Sequence, residues 1–90
     1  MATFEALVEV RLRPGIADPQ GATIEKALPA LGFEGMSDVR TGKAFRLSVE
    51  ASDEAAARAR VDELCRRFLT NPVIEDSEIT LEEITVGLRG

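Results

Sequence analysis

Between Phe4 and Leu12 the chain alternates. Phe4, Ala6, Val8, Val10 and Leu12 fall on one parity, and Glu5, Glu9, Arg11 and Arg13 on the other. A period of two belongs to a β-strand, whose successive side chains point to opposite faces. One face of this strand is therefore buried and the other wet. Leu7 breaks the polar parity and points to contact with another surface. Pro14-Gly15 ends the strand. A half-buried strand needs a covering layer, so the next question is what the rest of the chain supplies.

It supplies two amphipathic helices and further strands. Asp18-Pro19 reads as a helix start, because aspartate accepts from free N–H groups and proline lacks only a donor that would be orphaned there. Ile24, Ala27, Leu28 and Leu31 follow with helical spacing, and Gly32 suits the position after the last turn. Pro29 conflicts with that helix and predicts a kink or a loose end. Met36 and Val39 read as a second strand, with Phe45, Leu47 and Val49 as a third. Thr41-Gly42 between them predicts a tight hairpin. Ser52 or Asp53 caps a second helix with a stripe of Ala57, Val61, Leu64, Cys65 and Phe68, stopped by Asn71-Pro72. Ile79 and Leu81 alternate in a last strand. Ile84 and Val86 continue in the opposite phase, which predicts a bulge near Glu82-Glu83.

The order is βαββαβ over residues 1–90, read as one domain. It predicts an α+β fold with a mostly antiparallel four-stranded sheet and two helices on one face, in the ferredoxin-like manner. Each β–α–β segment is expected to cross over right-handed. The other sheet face is then polar or covered by a second subunit.

Composition narrows the function. The chain has 90 residues, four phenylalanines, no other aromatic residue and no histidine. A core this small is marginal without a disulfide, a metal or a partner, so self-association as a homodimer or dimer of dimers is expected. Without histidine there is no Ser-His-Asp or Cys-His catalysis and no histidine-metal site. The net charge of −5 disfavours phosphate backbones and anionic membranes, so neither nucleic acid nor membrane is an expected partner. One cysteine cannot form an internal disulfide, and residues 1–10 lack a signal-peptide pattern. Both fit a cytoplasmic protein. Cys65 lies on the apolar stripe of the second helix and reads as a core residue.

Three polar corners remain. Asp18-Pro19-Gln20-Gly21 opens the first helix, where Gln20 offers donors and an acceptor. Val39-Arg40-Thr41-Gly42-Lys43 contains a basic pair at the expected hairpin tip. It is not a P-loop, because the glycine spacing fails and Ala44 replaces the serine or threonine. Asn71-Pro72-Val73-Ile74-Glu75-Asp76 joins helix to strand and begins an acidic run without metal-loop spacing. Asp18, Gln20, Gly21, Arg40, Gly42, Lys43, Asn71, Glu75 and Asp76 are the candidate partner-binding residues. No catalytic, cofactor or metal residue is expected.

These three segments, in this order and spacing, resemble the PurS family, small subunits of phosphoribosylformylglycinamidine synthase. The resemblance runs from about Phe4 to Leu81 and includes Leu31-Gly32-Phe33 and the position of Cys65. It implies a non-catalytic subunit of an ATP- and glutamine-dependent ligase in purine biosynthesis. In that family the large subunit PurL holds ATP, Mg2+ and substrate, the glutaminase PurQ supplies ammonia, and PurS bridges the two. The competing reading is a dimeric small-molecule-binding regulatory module, resting on fold analogy alone. A stand-alone enzyme is disfavoured by the missing nucleophile and base.

Overall fold

The computed structural model describes residues 1–84. Its elements are strand β1 (Ala2–Leu12), helix α1 (Pro19–Ala27), a short 3-10 turn at Pro29–Leu31, strand β2 (Gly42–Ala51), helix α2 (Glu54–Leu64), one wide turn at Cys65–Leu69, and strand β3 (Glu75–Ile84). The sheet has three strands in the order β2-β1-β3, with β1 antiparallel to both neighbours. This corrects the four-stranded expectation. Gly35 and Asp38 take positive φ values of 80° and 58°, which break the extended backbone a strand through Met36 and Val39 would need. No hairpin forms at Thr41-Gly42 either. Gly42 is instead the first residue of β2, and β2 pairs with β1.

The expectation of two crossovers changes accordingly. β1 and β2 run antiparallel, so the α1 connection is a long return and not a crossover. β2 and β3 run parallel to each other with β1 between them, and α2 makes that crossover. The ladder of β3 on β1 continues unbroken through Glu82 and Glu83, opposite Glu5 and Phe4, so the expected bulge is absent there. Val86 lies outside the described residues.

The core is the face that alternation marked. Phe4, Ala6, Val8 and Val10 of β1 pack with Val49 and Ala51 of β2 and with Ala57, Val61 and Cys65 of α2. Asp53 caps α2 by accepting from the Ala56 N–H at 2.8 Å. Phe68, read as part of the stripe, is instead 80% exposed. The cause is the wide turn, closed by the Thr70 N–H donating to the Cys65 carbonyl at 2.9 Å. The extra residue in that turn brings Leu69 round to the core and turns Phe68 outward.

Among the described residues, α2 is the element that covers the sheet. α1 stops at Ala27, ahead of Pro29, and Gly32 ends the following turn with a φ of 89°. Its only buried residue is Gly21, and Ile24 and Leu31 are exposed. Both expected helices are thus present, but α1 packs little apolar surface on the sheet. The molecule is correspondingly long, 52 × 35 × 15 Å, with a radius of gyration of 17.3 Å. A compact chain of this length would have about 12 Å. The uncovered sheet face carries Glu5, Glu9, Glu50, Asp76, Glu78 and Glu82 against Arg11 and Arg46. It is mostly polar and acidic, with Leu7 and Ile84 as apolar members.

Candidate partner-binding site

The three polar corners meet at one end of the sheet. The register places Gly42 and Asp76 on either side of Arg11, Lys43 opposite Val10, and Glu75 opposite Leu12. β1 thus ends where β2 and β3 begin, and α1 is tied to the same end.

Asp18 makes that tie. As the N-cap of α1 it accepts from the Gly21 N–H at 2.9 Å. The same carboxylate accepts from the Thr41 N–H at 2.7 Å and the Thr41 hydroxyl at 2.8 Å. These bonds hold its pKa below the ordinary aspartate value, the Thr41 N–H first, then the Gly21 N–H and the Thr41 hydroxyl. A slight desolvation opposes the shift and the nearby Arg40 charge assists it. Two turns beyond Asp18, Glu25 accepts from the Val39 N–H at 3.1 Å. Gly21 is required at this junction, because a Cβ there would collide with the Val39 carbonyl oxygen and lie 2.9 Å from an Asp18 oxygen. Gln20 is exposed on the first turn and makes no side-chain hydrogen bond among the described residues.

The second corner sits just beyond. Arg40 Nε lies 3.3 Å from Asp38 Oδ1, where the left-handed backbone of Asp38 turns the chain toward β2. Gly42 permits close approach of β2 to β1, since a Cβ would lie 2.6 Å from the Val10 carbonyl oxygen. Lys43 reaches across β1 and places Nζ 3.6 Å from Glu75 Oε2. Arg40 and Lys43 therefore do not share a hairpin tip. Arg40 belongs to the loop, and Lys43 stands on the strand.

Glu75 links the second corner to the third. Its side chain is only 13% exposed, and its other oxygen accepts from the Asn71 N–H at 2.7 Å. Asn71 accepts in turn from the Val73 N–H at 3.1 Å through its side chain, and from the Ile74 and Glu75 N–H groups through its carbonyl. Asp76 pairs with Arg13 at 3.2 Å. Thr41, Glu25 and Arg13 escape sequence reasoning as members of this site. Their contacts span 14 to 63 residues, and no local spacing encodes them.

The arrangement suits recognition. It presents Arg40, Lys43 and Gln20 on a scaffold whose carboxylates are already engaged. Cys65 lies elsewhere, buried under the sheet, and burial pushes its thiol pKa up despite a hydrogen bond with Ser77. Among the described residues no three histidine, cysteine or acidic side chains converge as a metal would need.

Residues 5–83 match the family described as PurS, phosphoribosylformylglycinamidine (FGAM) synthase. The chain belongs to the PurS family. A PurS subunit of FGAM synthase from Methanocaldococcus jannaschii is 38% identical over 81 residues, covering 90% of this chain and 98% of that one. One from Mycobacterium leprae is 46% identical over 77 residues, covering 86% and 94%. The crystal structure of the M. jannaschii protein superposes with a TM-score of 0.82 at 36% identity, covering 91% and 99%. A chain in the structure of PurLQS from Thermotoga maritima superposes with a TM-score of 0.83 at 33% identity, covering 93% of this chain and all of that one. The three-stranded sheet is thus shared with PurS relatives over nearly the full length. No helix among the described residues is long and apolar enough to cross a membrane.

Proposed function

We propose that this chain is the non-catalytic small subunit of an FGAM synthase complex, joining the PurL synthetase to the PurQ glutaminase and supporting ammonia transfer between them. The observation that carries this reading is the full-length superposition on a chain of the T. maritima PurLQS assembly. The site agrees with it: a pinned end presenting two cations and an amide serves docking better than bond-making. ATP and Mg2+ would belong to the large subunit. The exposed apolar residues Ile24, Leu31, Phe33 and Met36 favour a chain that functions in an assembly, including copies of itself as a dimer or dimer of dimers. A single free thiol fits the cytoplasm.

Co-expression with PurL and PurQ chains tests the proposal. Co-purification of all three, with glutamine-dependent amidine formation lost when this subunit is omitted and restored on adding it back, is the expected result. Full glutamine-dependent activity of PurL and PurQ without it would refute the bridging role.

A further inference from the structure

A three-stranded sheet has two exposed edges, and α2 reaches both. Arg58 Nη1 donates to the Ile79 carbonyl of β3 at 3.2 Å, and Arg60 Nη1 donates to the Glu50 carbonyl of β2 at 2.8 Å. The two arginines flank the buried row Ala57, Val61 and Cys65, one leaning to each side. Neither is within 4.0 Å of a carboxylate oxygen among the described residues. Arg66 and Arg67, in the wide turn that follows α2, pair instead with Asp62 and Glu63 at 3.1 Å each.

In an antiparallel ladder, residues alternate between those whose N–H and C=O both face the neighbouring strand and those whose groups both face away. The register gives both arginine-bound carbonyls the same parity, and the Arg13 N–H donating to the Ile74 carbonyl at 2.8 Å, five residues before Ile79, makes that parity outward. Ile79 lies opposite Val8, and Val8 lies opposite Phe45. If Ile79 turns away from β1, Val8 bonds to β2, Phe45 turns inward, and Glu50, five residues on, turns outward. One assignment of parity satisfies both contacts. These are the backbone groups that an added strand would use.

We propose that Arg58 and Arg60 are edge guards: each occupies an outward strand carbonyl, one per edge, and thereby blocks uncontrolled extension of this sheet by further strands. Ile79 sits mid-way along β3, so Arg58 leaves no long uninterrupted stretch on that edge. Glu50 lies near the end of β2, so Arg60 shortens the free edge there. Guanidinium suits the task, because it spans from the helix by its aliphatic stem and brings a charge that a docking strand would have to desolvate.

The test is the full chain with Arg58→Met and Arg60→Met, singly and together, which keep the stem and remove the donor. Mass is followed by light scattering against concentration, with circular dichroism to confirm the fold. The double variant moves the net charge from −5 to −7, so charge alone predicts weaker self-association. The guard role predicts the opposite: species larger than the wild type forms, at concentrations lower by on the order of tenfold. Hydrogen exchange should then show new protection in residues 75–84 or 42–51. Arg66→Met/Arg67→Met, with the same charge change, should not associate further. Unchanged mass in the double variant, equal association in the Arg66/Arg67 control, or association without added protection of either edge strand would each overturn the proposal. Should the double variant not fold, the single variants carry the same outcomes.

Discussion

Asp18 and Thr41 are joined by two hydrogen bonds through one carboxylate, 2.7 Å from the Thr41 N–H and 2.8 Å from its hydroxyl, while that carboxylate also caps α1. Helix start and strand start are thus fixed by a single charged group. α1 packs so little apolar surface on the sheet that this group has an outsized part in setting its position.

A pH dependence follows from that carboxylate. Its pKa is lowered in the folded chain, chiefly by the Thr41 and Gly21 donors. A depressed carboxylate contributes stability above its unfolded pKa of about 3.9 and loses it as the pH falls through the lower folded value. Thermal unfolding between about pH 5 and pH 2 should therefore show a stability loss that shrinks in Asp18→Asn. Parallel profiles for the two proteins would count against the role given to Asp18.

Gly21 makes a steric prediction. A Cβ there meets the Val39 carbonyl and an Asp18 oxygen, and neither is the free end of a flexible chain. Gly21→Ala should cost about 1–3 kcal/mol in urea unfolding, even though alanine is the better helix former. A neutral or stabilising result would show that the loop can retreat without loss.

Cys65 should be inert and dispensable. It is 1% exposed, with its thiol pKa raised mainly by burial and further by Asp62. A thiol reagent at pH 8 should modify it only on unfolding. Cys65→Ala should cost about 1–2 kcal/mol through lost packing and leave complex formation intact. Rapid modification of the folded chain would contradict the burial.

Much of this was legible in the sequence. The alternation of β1 and β3, the caps Asp18 and Asp53, the stop at Pro29 and the buried row Ala57, Val61 and Cys65 all follow local periodicity and turn chemistry. Other features did not follow, among them the bulge suggested by the phase of Ile84, which the unbroken ladder of β3 on β1 lacks. Met36 and Val39 look strand-like, but Gly35 and Asp38 in left-handed conformations break the run, and short apolar stretches carry no record of that. Phe68 fits helical spacing, but one wide turn gives its place to Leu69. The gathering of the three corners was also hidden, because it depends on which strands pair. The sequence order of β1, β2 and β3 does not reveal that β1 is central.

The basic pair carries the last prediction. Arg40 and Lys43 are both about half exposed, at 53% and 55% of their side chains, and their carboxylate partners sit at 3.3 and 3.6 Å. The Arg40–Asp38 pair is open at both ends and contributes little to folding, whereas Lys43 faces a Glu75 side chain that is only 13% exposed, so Arg40→Ala/Lys43→Ala should keep the folded circular dichroism spectrum and the self-association of the chain at a stability cost that traces to Lys43. Docking is different, because a partner's acidic groups would compete for these cations in an environment that the interface dries. Lys43 also neutralises Glu75, whose side chain is nearly buried, so removing it leaves a negative charge facing any partner at this end. Both effects push the same way. Affinity for PurL and PurQ should fall, with a loss that shrinks as salt rises if the contacts lie at a rim, or by about 2–5 kcal/mol if they are buried and paired. Titration of the folded double variant against each partner, at low and high salt, separates these cases. Wild-type affinity at both salt concentrations, together with wild-type glutamine-dependent activity, would remove this end of the sheet from the interface.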